Sequence, residues 1–135
     1  MARQDRHTVV QAWISHAQFL LHLDEWKITI AKDAADVEAW ADIDTGSGQN
    51  YEAELRLSHD FFRQTAERQR LVLTHELLHL ASARYARIVE NLEDALGKVA
   101  WAVLAPQIDD GEERMVEFFA NLLAPGLDLP NFPKA

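Results

Sequence analysis

Residues 71–80 read Leu71-Val72-Leu73-Thr74-His75-Glu76-Leu77-Leu78-His79-Leu80, and no other stretch of the chain restricts its fold as much. Apolar residues fill six of these ten places, and their spacing predicts a helix that is otherwise strongly apolar and buried. Three ionisable side chains on such a helix need partners, because a polar group taken out of water unpaired costs on the order of several kcal/mol. Two imidazoles four positions apart leave the same helical face, at a separation that lets both reach one tetrahedral zinc ion. Glu76 directly follows the first imidazole. It is set to face the open coordination position instead of binding the ion, and there a carboxylate can take a proton from water. A competing reading needs no ion: the two histidines are core residues satisfied by hydrogen bonds, and Glu76 lies on a solvated face.

A hydrolytic zinc site uses three protein ligands and one water, so a third ligand is required. The chain has no cysteine, which removes thiolate ligation, thiol catalysis and disulfides. No histidine follows His79, so the extended pattern with a third histidine six residues later is excluded and a downstream carboxylate remains. The last helical pattern, residues 112–124, offers Glu112, Glu113 and Glu117 beside Met115, Val116, Phe119, Leu122 and Leu123. Glu113 and Glu117 share one side of that helix. Glu112 projects nearer the centre of the apolar stripe and stands as the alternative third ligand.

The rest of the chain supplies the frame. A length of 135 residues predicts one domain, residues 1–135, with a single core. Residues 7–23 carry Val9, Val10, Trp13, Ala17, Leu20 and Leu21 at helical steps. The period then changes to two over residues 26–32, 39–43 and 51–57, with glycines in 45–50 suited to a turn. These segments predict a small, mainly antiparallel, three-stranded sheet. Beyond it the chain reads as helical: a short helix capped by Ser58, a strong one over residues 67–86, and another over 88–104 stopped by Pro106. Asp109-Asp110-Gly111 marks a loop before the last helix, and residues 127–135 read as irregular. The expected class is α+β.

Thirteen Lys and Arg against twenty-two Asp and Glu leave a formal charge of -9, the wrong sign for nucleic acid as a main partner. The longest purely apolar run, residues 99–105, is too short to span a bilayer. Residues 1–6 are polar, and Gln11, Ser15, His16 and Gln18 interrupt the apolar residues after them, so no signal-peptide core is visible. The expectation is a soluble, cytoplasmic protein with no membrane partner.

On these residues the chain resembles the gluzincins, zinc metallopeptidases of the His-Glu-x-x-His class whose third ligand is a Glu on a later helix. It is most similar to their minimal single-domain forms, the minigluzincins, and to phage-type zinc peptidases. The likeness runs in order through an amino-terminal helix, the strand Trp26-Lys27-Ile28-Thr29-Ile30, a strand ending Glu54-Leu55-Arg56-Leu57, the His-Glu-x-x-His helix, and Glu113-Arg114-Met115-Val116-Glu117-Phe118-Phe119. The resemblance implies a zincin-like fold and one Zn2+ held by His75, His79 and Glu113. It makes Glu117 the acid supporting a zinc-bound histidine and Glu76 the general base. The implied substrate is a peptide or protein. Zinc lowers the pKa of its water, Glu76 removes the proton, the hydroxide attacks the carbonyl, and Glu76 returns the proton to the leaving amine. In this family an extended substrate joins the sheet edge at the cleft rim, which here is expected at residues 51–57, through Tyr51, Ala53 and Leu55. Tyr51, His59 and Tyr85 are the candidates for stabilising the oxyanion. The ending Ala120-Asn121-Leu122-Leu123-Ala124-Pro125 is also similar to the ImmA/IrrE-type metallopeptidases, whose Glu-Ala-Asn motif is absent here. That likeness implies the alternative function, a non-catalytic or regulatory zincin-like module acting on a partner protein such as a repressor.

Overall fold

The structure is a computed structural model that describes residues 5–32, 39–46 and 50–134. Residues 47–49 of the expected turn lie outside the described residues. The chain is α+β, and its described residues form three long helices and one short one around a three-stranded mixed sheet. Helix α1 (Arg6–Leu20) buries Val10, Ile14, Ala17 and Gln18, which fall on one face of the helix. Leu20 is exposed, so the buried stripe is rotated from the one expected. The buried Gln18 amide closes the end of the helix by donating to the carbonyls of Leu23 (3.1 Å) and Trp26 (2.7 Å), which aims the chain into the sheet.

Strands β1 (Lys27–Ile30), β2 (Ala41–Asp44) and β3 (Glu52–Leu57) lie in the order β1-β3-β2. The expected mainly antiparallel sheet is corrected here: β1 pairs with β3 in parallel, Lys27 opposite Glu52, and only β2 pairs with it antiparallel, Asp42 opposite Arg56. Alternation reports which side chains are buried, but its period is the same for either strand direction. The alternation itself holds. Ile28, Ile30, Ala53, Leu55 and Leu57 point into the core, and Lys27, Thr29, Glu52, Glu54 and Arg56 point to solvent.

Ser58 caps a 3-10 turn over His59–Arg63 by accepting from the Phe61 amide at 3.2 Å, and Phe61 is fully buried. Thr65 caps helix α2 (Ala66–Glu90) through the Arg68 amide, also at 3.2 Å. Leu73, Leu77, Leu80 and Ala83 of α2 join α1 and the sheet in one core. A short helix α3 (Leu92–Leu96) ends at Gly97, whose φ of 83° favours a residue without a side chain.

Helix α4 (Lys98–Leu123) runs through both expected breaks, because Pro106 lies inside it and residues 109–111 are helical. Proline's fixed φ suits a helix, and the loss is one hydrogen bond to the carbonyl four residues earlier. Ala102 and Pro106 are both exposed, so water can satisfy that carbonyl. Of its own side chains α4 buries only Val116 and Ala120. The tail is irregular, as expected, but pinned: Leu127 and Phe132 enter the core, and the Asp128 carbonyl accepts from the Trp13 indole at 2.9 Å. No helix among the described residues is long and apolar enough to cross a membrane.

Candidate metal centre

Helix α2 contributes His75 and His79 on one face, one turn apart, with ring centroids 5.1 Å from each other. Their side chains are 17% and 18% exposed, so both imidazoles are largely withdrawn from water. Helix α4 brings Glu112, Glu113 and Glu117 against them. Glu113 stands between the rings: one of its carboxylate oxygens is 3.1 Å from His75 Nε2 and the other is 3.1 Å from His79 Nε2.

Each outer ring nitrogen has its own carboxylate. His75 Nδ1 lies 2.7 Å from Glu117, and His79 Nδ1 lies 3.2 Å from Glu112. Further bonds hold these acids in place. Ser82 Oγ donates to Glu112 at 2.9 Å, and the Asn121 amide donates to the Glu117 carboxylate at 3.3 Å. Carboxylates accept only, so both Nδ1 atoms act as donors, and in the neutral imidazole each Nε2 then carries a lone pair. Two such lone pairs facing a third acceptor require something positive between them, a proton or a cation. The candidate ligand atoms of His75, His79 and Glu113 all lie within 4.8 Å of one another. Two imidazole nitrogens and one carboxylate oxygen form a donor set that could hold a metal ion.

Glu76 lines the cleft beside this cluster. Burial, reinforced by the nearby charges of Glu113 and Asp42, pushes its carboxyl up to about 8. The cleft lies between β2, α2 and α4 and has two lobes. The larger, about 520 Å3, is walled by Asp42, Glu90, Glu112 and Glu113, and the smaller, about 200 Å3, by Trp40, Leu71, Val72 and Arg68.

Among the expected site residues, His75, His79 and Glu113 converge, Glu76 borders them, and Glu117 supports His75. Glu112, the alternative third ligand, sits instead on the far side of His79. The expected substrate strand needs correction. Ala53 and Leu55 are buried on β3, and β3 is the middle strand, so both its backbone edges are already paired. The sheet edge beside the cleft is β2, whose Ala41, Asp42 and Ile43 line the larger lobe. Tyr51 packs edge-on to Trp26 at 5.4 Å and accepts from Arg84 at 3.0 Å, and neither it, His59 nor Tyr85 lines either lobe. The support of His79 by Glu112 and the lobe around Trp40 and Arg68 are not among the features expected from the sequence. The place of Glu112 near the centre of the apolar stripe signalled that it faces α2, but not which nitrogen of His79 it meets. No family model, curated protein or solved structure matches the chain.

Proposed function

We propose that this protein is a zinc-dependent peptidase of the gluzincin type. The observation that carries the reading is the arrangement of the two imidazoles, each with Nε2 turned to the Glu113 carboxylate and Nδ1 held by a separate carboxylate. His75, His79 and Glu113 would hold one Zn2+, while Glu117 and Glu112 fix the ring orientation and raise the basicity of the ligating nitrogens. A bound ion would supply Lewis acidity, polarising a peptide carbonyl and making a water acidic. Everything else falls to the chain. Among the described residues the outer edge of β2 has no strand partner, and its backbone groups can align an extended peptide across the cleft with little regard to its sequence. Glu76, close to the reacting centre and shielded from bulk water, takes a proton from the attacking water at its carboxylate. It then delivers that proton to the amine nitrogen as the carbon–nitrogen bond breaks.

Metal content and cleavage of a mixed peptide library test this reading together. The wild type should hold about one zinc per chain and cleave, and E76Q should keep the metal while cleavage falls on the order of 100-fold or more. Failure to bind zinc at all would overturn the reading. A second reading, recognition of a partner protein without cleavage, draws on the exposed Met115, Phe118, Phe119 and Leu122 of α4. It expects E76Q to act on that partner as well as the wild type does.

A further inference from the structure

The two lobes of the cleft differ in charge. Asp42, Glu90, Glu112 and Glu113 wall the larger lobe, which no Arg or Lys lines. The smaller lobe carries Glu76 and Glu117 at its histidine end and is apolar along Trp40, Leu71 and Val72 beyond them, and Arg68 at its edge is the one Arg or Lys lining either lobe among the described residues. The Arg68 guanidinium lies 5.1 Å from the centroid of the Trp40 ring and forms no salt bridge with any described residue, although the chain carries a net charge of -9. Stacking on an indole fixes the plane of a guanidinium and leaves its N–H edge free for a planar, bidentate acceptor. A carboxylate is that acceptor.

We propose that the smaller lobe is a substrate subsite that takes an apolar side chain beside the cleaved bond, with Arg68 at its edge reading a carboxylate one or two residues farther along the peptide. This rests on the peptidase reading and gives it a substrate class. The dimensions agree. Arg68 precedes His75 by seven residues on α2, roughly 10 Å along the helix axis. An extended peptide advances about 3.3 Å per residue, and a stacked arginine side chain covers part of the remaining distance. A volume of about 200 Å3 is enough for a leucine or phenylalanine side chain. The acid-walled lobe repels the same carboxylate, so the charge difference also sets the direction in which the peptide lies. An acidic side chain and a free chain end offer the same chemistry to Arg68.

A series of fluorogenic peptides tests the proposal, each with leucine or phenylalanine at the cleaved bond. One arm compares Glu with Gln at the next two positions in amide-ended peptides, and the other compares free-acid with amide ends. Cleavage is followed as kcat/KM with the zinc-loaded wild type. Binding is followed separately as Kd with zinc-loaded E76Q, which needs no turnover. The acidic member of a pair should be favoured roughly 10- to 100-fold, the range of a hydrogen bond to a charged group. In R68Q that ratio should fall toward one, and R68E should invert it in favour of the uncharged member of each pair. Preference in the first arm identifies an acidic side chain as the source, preference in the second identifies the chain end, and either supports the subsite. Cleavage without carboxylate preference overturns the subsite and leaves the peptidase reading standing. Carboxylate-dependent binding to E76Q with no cleavage by wild type keeps the subsite and overturns the peptidase reading.

Discussion

Helices α2 and α4 are nearly equal in length, 25 and 26 residues, and both furnish the candidate metal centre, yet they are held in different ways. Helix α2 buries eight side chains, among them Leu73, Leu77 and Leu80 of the common core. Helix α4 buries two and leaves Phe118 and Leu122 about two-thirds exposed. The core therefore fixes the histidines, while Glu112, Glu113 and Glu117 stay in position largely through their contacts with those histidines. Two precisions meet at the site. One comes from hydrophobic packing, and the other from the polar cluster itself.

The strongest challenge to that contrast is a pair of truncations. Leu77→Ala in α2 should destabilise the protein by about 2–5 kcal/mol, whereas Phe118→Ala in α4 should stay within about 0.5 kcal/mol, both read from urea unfolding. Equal losses would mean that α4 is packed as firmly as α2. Metal removal comes next. With free zinc held 100 to 1,000 times above its Kd, chelation should remove about 3–4 kcal/mol and lower the Tm. Hydrogen exchange should then rise across Glu113 to Asn121 well before it rises across Leu73 to Leu80, because the core still holds α2.

Glu76 sharpens the comparison through pH. In the metal-free protein its carboxyl keeps the proton up to about 8, while the unfolded chain releases it near 4.5. The native state binds the extra proton between those values, so this group costs the fold stability as pH rises through the window, and the cost stays constant above it. Metal-free E76Q should therefore exceed the wild type by up to about 4 kcal/mol at pH 8 and match it at pH 4, measured by denaturant midpoints. A smaller effect is expected in the supporting acids. Glu112→Gln and Glu117→Gln should each weaken zinc about 10- to 100-fold in competition titrations and leave metal-free stability almost unchanged. If only Glu117 mattered, His79 would need no carboxylate behind it.

Much of the frame was legible in the residues themselves. Alternation over Glu52 to Leu57 marked the buried face of β3, and the His-Glu-x-x-His spacing placed both imidazoles on one face of α2. Ser58 announced the cap that it forms. Strand direction was not legible, since a period of two carries no sign, and so the middle strand passed for the edge. Pro106 and Gly111 read as stops because local propensity disfavours them. On an exposed helix, however, water replaces the lost hydrogen bond, and neighbouring turns carry the backbone through. Glu112 and Glu113 are separated by about 100° around α4, and which one meets Nε2 depends on how that helix approaches α2, a tertiary fact without local signature. Phe132 joins the core from an irregular tail, where no periodicity could announce it.

The outer edge of β2 has a cost as well as a use. A row of unpaired amides and carbonyls will accept another copy of the same chain as readily as a guest strand, and that is how aggregates begin. Here the row is only four residues long, and aspartates stand at two of them, Asp42 tied to Arg56 across the sheet and Asp44 exposed. Copies meeting edge to edge would bring like charges together over too short a ladder to hold. If a peptide binds there as proposed, the same four residues would both admit a visitor and discourage self-assembly.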